Sequence, residues 1–141
     1  MDKGQSLAIL AVDDESGVLA LVRRCLADLR IQVTEAASGP EALDRLRDGP
    51  AVDLLITDLV MPEMPGDELA RRARELQPDL RVLYLTGHSD SLFESGQPLT
   101  PRNAYLDKPF TREGLRQAVA VLLFDSTTLA PAPGKGDADT R

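Results

Sequence analysis

The sequence predicts a three-layer α/β sandwich around a parallel five-stranded sheet, and three observations carry that expectation. Short, continuously apolar runs recur along the chain, crossover-length segments separate them, and most of those segments have helical periodicity. Right-handed crossovers between parallel strands then put helices on both faces of the sheet. A length of 141 residues suits one domain.

The first run, Ala8–Val12 (AILAV), stops at Asp13-Asp14, as a strand buried on both faces does. In Ser16–Leu29 the apolar residues Val18, Leu19, Val22, Cys25, Leu26 and Leu29 fall on one face of a helix. Cys25 on that face reads as a small buried hydrophobe, not a reactive thiol. Ile31–Ala36 is the second strand. Ser38-Gly-Pro-Glu41 has the spacing of a capping box, and Gly49-Pro50 stops the helix it opens. Asp53–Thr57, Gly66–Leu76 and Arg81–Thr86 supply the third strand, third helix and fourth strand. The next connection differs, because Gly96, Pro98 and Pro101 leave room for about two helical turns around Ser89–Ser95, so a fourth helix is expected to be short or irregular. Ala104–Leu106 makes the fifth strand, and a last helix from Thr111 turns Leu115, Ala118, Val119 and Leu122 inward. The folded domain is expected over 7–124, after an N-terminal extension 1–6. The small, polar, Pro- and Gly-bearing segment 125–141 reads as a flexible tail.

Sixteen basic against twenty-three acidic residues give a net charge of −7, which opposes a nucleic-acid backbone and favours metal ions or cationic protein surfaces. No apolar run approaches the roughly 18–20 residues of a membrane span, and no leader stands at Met1–Leu10, so a soluble, cytoplasmic protein is expected. The single cysteine cannot form an internal disulfide, and the single histidine, His88, excludes a multi-histidine zinc centre.

In an open parallel sheet the binding crevice lies at the carboxyl ends of the strands. Asp13 and Asp14 follow the first strand, Asp58 ends the third, Thr86 ends the fourth and Lys108 follows the fifth. Taken singly, an acidic pair is an ordinary helix N-terminal feature, Asp58 a turn residue and Lys108 a solvated one. Together at one edge they point to a site. Three converging carboxylates repel one another until a cation binds, and oxygen-only ligands suit a hard ion such as Mg²⁺. Lys108 and Thr86 would then hold an anionic group, such as a phosphoryl group, at Asp58.

Asp13-Asp14, D58-LVMP-EMPG66, the LTG of Thr86 and Y105-LDKPF110, in this order and spacing, resemble the receiver domain of two-component response regulators over about residues 7–124. The resemblance implies a flavodoxin-like strand order 2-1-3-4-5 and an individual role for each matched position. Asp58 matches the phosphoacceptor and Asp13 and Asp14 the acidic pair for Mg²⁺ (Mn²⁺ also fits), with Val60 contributing its backbone carbonyl. Thr86 matches the switch hydroxyl, Tyr105 the switch aromatic, Lys108 the phosphate-pairing lysine, and Lys108-Pro109 a cis peptide. It further implies a histidine kinase or histidine phosphotransfer protein as phosphoryl donor, an output protein that the sequence does not name, and no enzymatic action on other substrates. Free-standing regulators and receivers of hybrid histidine kinases, acting as relay or phosphate sink, both fit. An aspartyl-nucleophile phosphatase fits poorly, since the position for its general acid holds Val60, and a flavin module lacks a phosphate loop after the first strand. Gly87 stands where alanine is frequent, and the interrupted stretch from Gly87 to Arg102 predicts an irregular dimer face and a mainly monomeric protein.

Overall fold

The computed structural model describes residues 7–87 and 102–128. The expectations for the extension 1–6, for His88, for a short fourth helix at Ser89–Ser95 and its surface, and for the tail beyond 128 lie outside these residues. Five strands, β1 (Leu7–Val12), β2 (Ile31–Ala36), β3 (Leu54–Asp58), β4 (Arg81–Thr86) and β5 (Asn103–Asp107), alternate with helices α1 (Ser16–Leu26), α2 (Gly39–Asp48), α3 (Gly66–Leu76) and α4 (Arg112–Thr128). All neighbouring strands pair in parallel, in the order β2-β1-β3-β4-β5. The expected fold and strand order are therefore present.

Alternation along the central strands divides the core into two layers. Leu10, Val12, Leu55, Val82 and Tyr84 face α2 and α3, where Ala42, Leu43, Leu46, Leu69, Ala70 and Ala73 cover them. Ile9, Ala11, Leu54, Ile56, Leu83 and Leu85 face α1 and α4, which contribute Leu19, Val22, Cys25, Leu26, Leu115, Val119 and Leu122. Cys25 is a buried free thiol, as its place on the helix predicts. Each of these larger aliphatic side chains contributes about 1.5–3 kcal/mol by leaving water, and removing any of them would loosen one layer only.

Local signals hold with small displacements. Ser38 Oγ accepts from the Glu41 N–H at 3.2 Å, while Glu41 Oε1 accepts from the Ala37 N–H at 3.1 Å, so the capping box closes one residue early on its return side. The Thr111 hydroxyl caps α4 by accepting from the Gly114 N–H at 2.9 Å. Two expectations are corrected. Helix α1 ends at Leu26, not Leu29: Ala27 and Leu29 donate to Arg24 and Leu26 in tightened three-residue turns, and Leu29 swings out to 38% exposure. At the other end of the chain α4 continues past Phe124 to Thr128, so the expected boundary falls within a helix. Among the described residues no helix is long and apolar enough to cross a membrane.

Candidate functional site

The carboxyl ends of β1, β3, β4 and β5 converge at one edge of the sheet. Asp13 follows β1 directly, and its N–H still donates to the Ala36 carbonyl of β2 at 3.2 Å, which holds its side chain over the sheet. Asp58 is the last residue of β3 and pairs in register with Leu85 of β4. Both carboxylates are nearly out of water, with Asp13 1% and Asp58 8% exposed, whereas Asp14 is open to solvent. One carboxylate oxygen from each of Asp13, Asp14 and Asp58 lies within 4.8 Å of the other two, so the three could hold a metal ion.

Lys108 reaches this cluster from the segment after β5. Its backbone N–H donates to the Thr86 carbonyl at 2.7 Å, which anchors the segment beside β4, and the Lys108-Pro109 peptide is cis. The ammonium stands 3.1 Å from Asp13 Oδ2, 3.4 Å from Asp58 Oδ2 and 3.8 Å from Glu15 Oε1. One ammonium thus serves several carboxylates, two of them buried. Burial pushes the Asp13 carboxyl above its ordinary value, and repulsion from Asp58 adds to this against the Glu15 N–H and Lys108. Burial likewise raises Asp58, outweighing Lys108 and the Val60 N–H that faces it. For Lys108, burial is the largest single influence and acts downward, but the hydrogen bonds and charges of Asp13 and Asp58 together carry its ammonium upward. Among the described residues the cluster offers oxygen donors with an excess of negative charge and no thiolate or imidazole, which fits a hard divalent cation.

Thr86 is fully buried at the end of β4, one residue beyond the register partner of Asp58. Tyr105 lies directly opposite Tyr84 in the β4–β5 ladder. The Val60 side chain points outward, 65% exposed, at the mouth of the site.

The loop between β3 and α3 supports Asp58 through residues whose role the sequence does not announce. Gly66 donates to the Leu59 carbonyl at 2.8 Å, and a Cβ on it would stand 2.2 Å from the Asp58 carbonyl oxygen. Only glycine permits that approach. In the same loop Glu63 takes φ 60°, a left-handed conformation that glycine or asparagine adopts more readily. Glu15, too, enters the site unannounced, because only the fold brings Lys108 back to it.

Comparisons with known proteins agree with this geometry. The sequence matches the response regulator receiver domain over residues 9–120. It is 36% identical over 116 residues to the response regulator receiver protein CpdR of Brucella abortus, covering 82% of this chain and 95% of that one. It is also 35% identical over 123 residues to the sensor kinase CckA of the same organism, covering 86% of this chain but only 13% of the kinase. Among solved structures, a response regulator receiver protein from Sinorhizobium medicae superposes with a TM-score of 0.74 at 34% identity, covering 86% of this chain and 97% of that one. With its fold, its acidic edge and these relatives in agreement, the chain belongs to the response regulator receiver domains of two-component signalling systems.

Proposed function

We propose that Asp58 is the phosphoacceptor of this domain, and that the shared placement of Lys108 between Asp13 and Asp58 is the observation that carries the reading. A histidine kinase or histidine phosphotransfer protein presents phosphohistidine, and an Asp58 carboxylate oxygen attacks phosphorus. The phosphorus–nitrogen bond breaks, its electron pair returns to the imidazole, and an acyl phosphate forms on Asp58. Lys108 then exchanges part of its pairing with Asp13 for the phosphoryl oxygens, and Thr86 donates its hydroxyl to them. Asp14 and Asp58 would hold Mg²⁺, or Mn²⁺, directly, with Asp13 acting through water and Val60 through its backbone carbonyl. When bound, the ion neutralises the carboxylates and the charge on the transferred group.

Tyr105 follows Thr86 as the aromatic part of the switch, so that the acyl phosphate biases a two-state surface read by an output partner. In this reading the protein acts catalytically only on its own phosphorylation and dephosphorylation. It works in the cytoplasm, mainly as a monomer, and either docks on a partner or passes phosphate onward. Incubation with acetyl phosphate and Mg²⁺ should add one phosphoryl mass to the parent and none to Asp58→Ala. Full labelling of Asp58→Ala would overturn the assignment.

A further inference from the structure

Tyr84 has no part in phosphoryl chemistry, yet it stands beside the residue that the proposed switch must move. Its ring is fully buried and stacks on that of Tyr105, with centroids 5.0 Å apart and planes inclined by 21°. The pair is in direct register across β4 and β5. Because strand side chains alternate, Thr86 is the next residue of β4 on the same face as Tyr84, and it ends the strand at the carboxyl edge where Asp58 stands. Tyr105 is set between two opposing influences. Stacking holds its ring, whereas its hydroxyl is buried with no hydrogen-bond partner among the described residues, which works against that seat. Burial raises both phenols, Tyr84 to about 12, so neither relieves the conflict by ionising near neutral pH.

We infer that Tyr84 is a positioning residue of the switch: its stacked ring holds Tyr105 in the resting seat and so sets how readily Tyr105 moves towards Thr86. This rests on the reading of Tyr105 as the switch aromatic. Without the stack, the hydroxyl, buried and with no hydrogen-bond partner among the described residues, is no longer offset, and the moved state gains population before any phosphoryl group arrives. A stacked pair of this kind is worth about a two- to tenfold change in such an equilibrium.

The chain carries two tyrosines, Tyr84 and Tyr105, and no tryptophan, so 3-fluorotyrosine labelling gives one fluorine resonance for each ring of the pair. Beryllofluoride with Mg²⁺ serves as the phosphoryl probe. In the parent both resonances should move together in one transition, Tyr105 through its own displacement and Tyr84 through loss of the neighbouring ring. In Tyr84→Leu the Tyr105 resonance should already lie part of the way to its saturated position. Half-saturation should also need about two- to tenfold less beryllofluoride, and Tyr84→Phe, which keeps the ring, should restore parental values.

If Tyr105 does not respond in the parent, the switch reading fails and this inference falls with it. If Tyr105 responds while Tyr84 stays still, or if Tyr84→Leu titrates as the parent does, the inference alone is overturned. The parental titration decides the matter even if Tyr84→Leu does not fold.

Discussion

At the amino ends of the strands, polar side chains are spent on backbone groups. Gln77 donates to the Val52 carbonyl at 2.9 Å and accepts from the Val52 N–H at 3.0 Å, and Asp53 accepts from the Ala8 N–H at 2.8 Å. Arg74 donates to the Leu80 carbonyl at 2.9 Å and to Asn103 Oδ1 at 2.8 Å, tying α3 to the start of β5, while Arg116 of α4 donates to the Cys25 carbonyl at 2.8 Å. At the carboxyl ends the polar groups face one another instead, with Asp13 and Asp58 buried around one shared lysine. The left-handed Glu63 and the crowded Gly66 lie at that end as well. These amino-end groups close their hydrogen bonds within the fold, whereas the carboxyl end sets three carboxylates around one lysine, an excess of negative charge that a bound cation would offset.

Substitutions at the two ends should therefore separate stability from function. The largest effect is expected for Gly66→Ala, whose Cβ meets backbone that cannot step aside. A loss of about 3 kcal/mol in denaturant unfolding, together with impaired labelling by acetyl phosphate, would follow from forcing the loop off Asp58. Arg74→Ala comes next at about 1–3 kcal/mol, since it leaves the Leu80 carbonyl without its donor. Labelling of the folded Arg74→Ala protein should match the parent, and a parallel loss of labelling would blur the contrast between the ends.

Glu63→Gly should move stability the other way. Relief of a left-handed residue gains about 1–2 kcal/mol, the added chain entropy of glycine costs about 0.5–1 kcal/mol, and a net gain of about 0.5 kcal/mol is expected. A loss instead would mean that the loop is not strained at that residue.

The smallest effect belongs to Glu41, a carboxylate in the first turn of α2 that is already satisfied. Its hydrogen bond from the Ala37 N–H, and after it the pairing with Arg45, holds it below its ordinary 4.5. A lowered folded value means that its contribution is present above that ordinary value and lost as pH falls through the folded one. Glu41→Gln should cost a few tenths of a kcal/mol near neutral pH, and the two proteins should converge in acid.

The sequence reveals most of this architecture, because buried parallel strands and amphipathic helices write their periods directly into it. It is less informative where tertiary geometry overrides the local pattern. Leu29 continues the apolar period of α1, but the tightened turns after Leu26 take it out of the core. Asp13, Asp14, Asp58, Thr86 and Lys108 can be placed at one edge from strand ends alone. Their sharing of one ammonium cannot, since Lys108 and Asp13 are 95 residues apart in sequence. Tyr84 is hidden for a similar reason. Within RVLYLT it reads as one more core residue, and only the register of β4 on β5 shows that it lies against Tyr105.

Crowding of Asp13, Asp14 and Asp58 at the carboxyl end implies an electrostatic tension that a divalent cation would relieve. Denaturant unfolding of the parent and of Asp58→Asn, each in metal-free buffer and in excess Mg²⁺, tests it directly. Without metal, Asp58→Asn should be the more stable by about 1 kcal/mol, because it removes one of the crowded charges. Added Mg²⁺ should stabilise the parent strongly and the variant weakly, closing or reversing that gap. A parent that is the more stable without metal, or that Mg²⁺ leaves unchanged, would mean that the carboxylates are not crowded enough to need a cation.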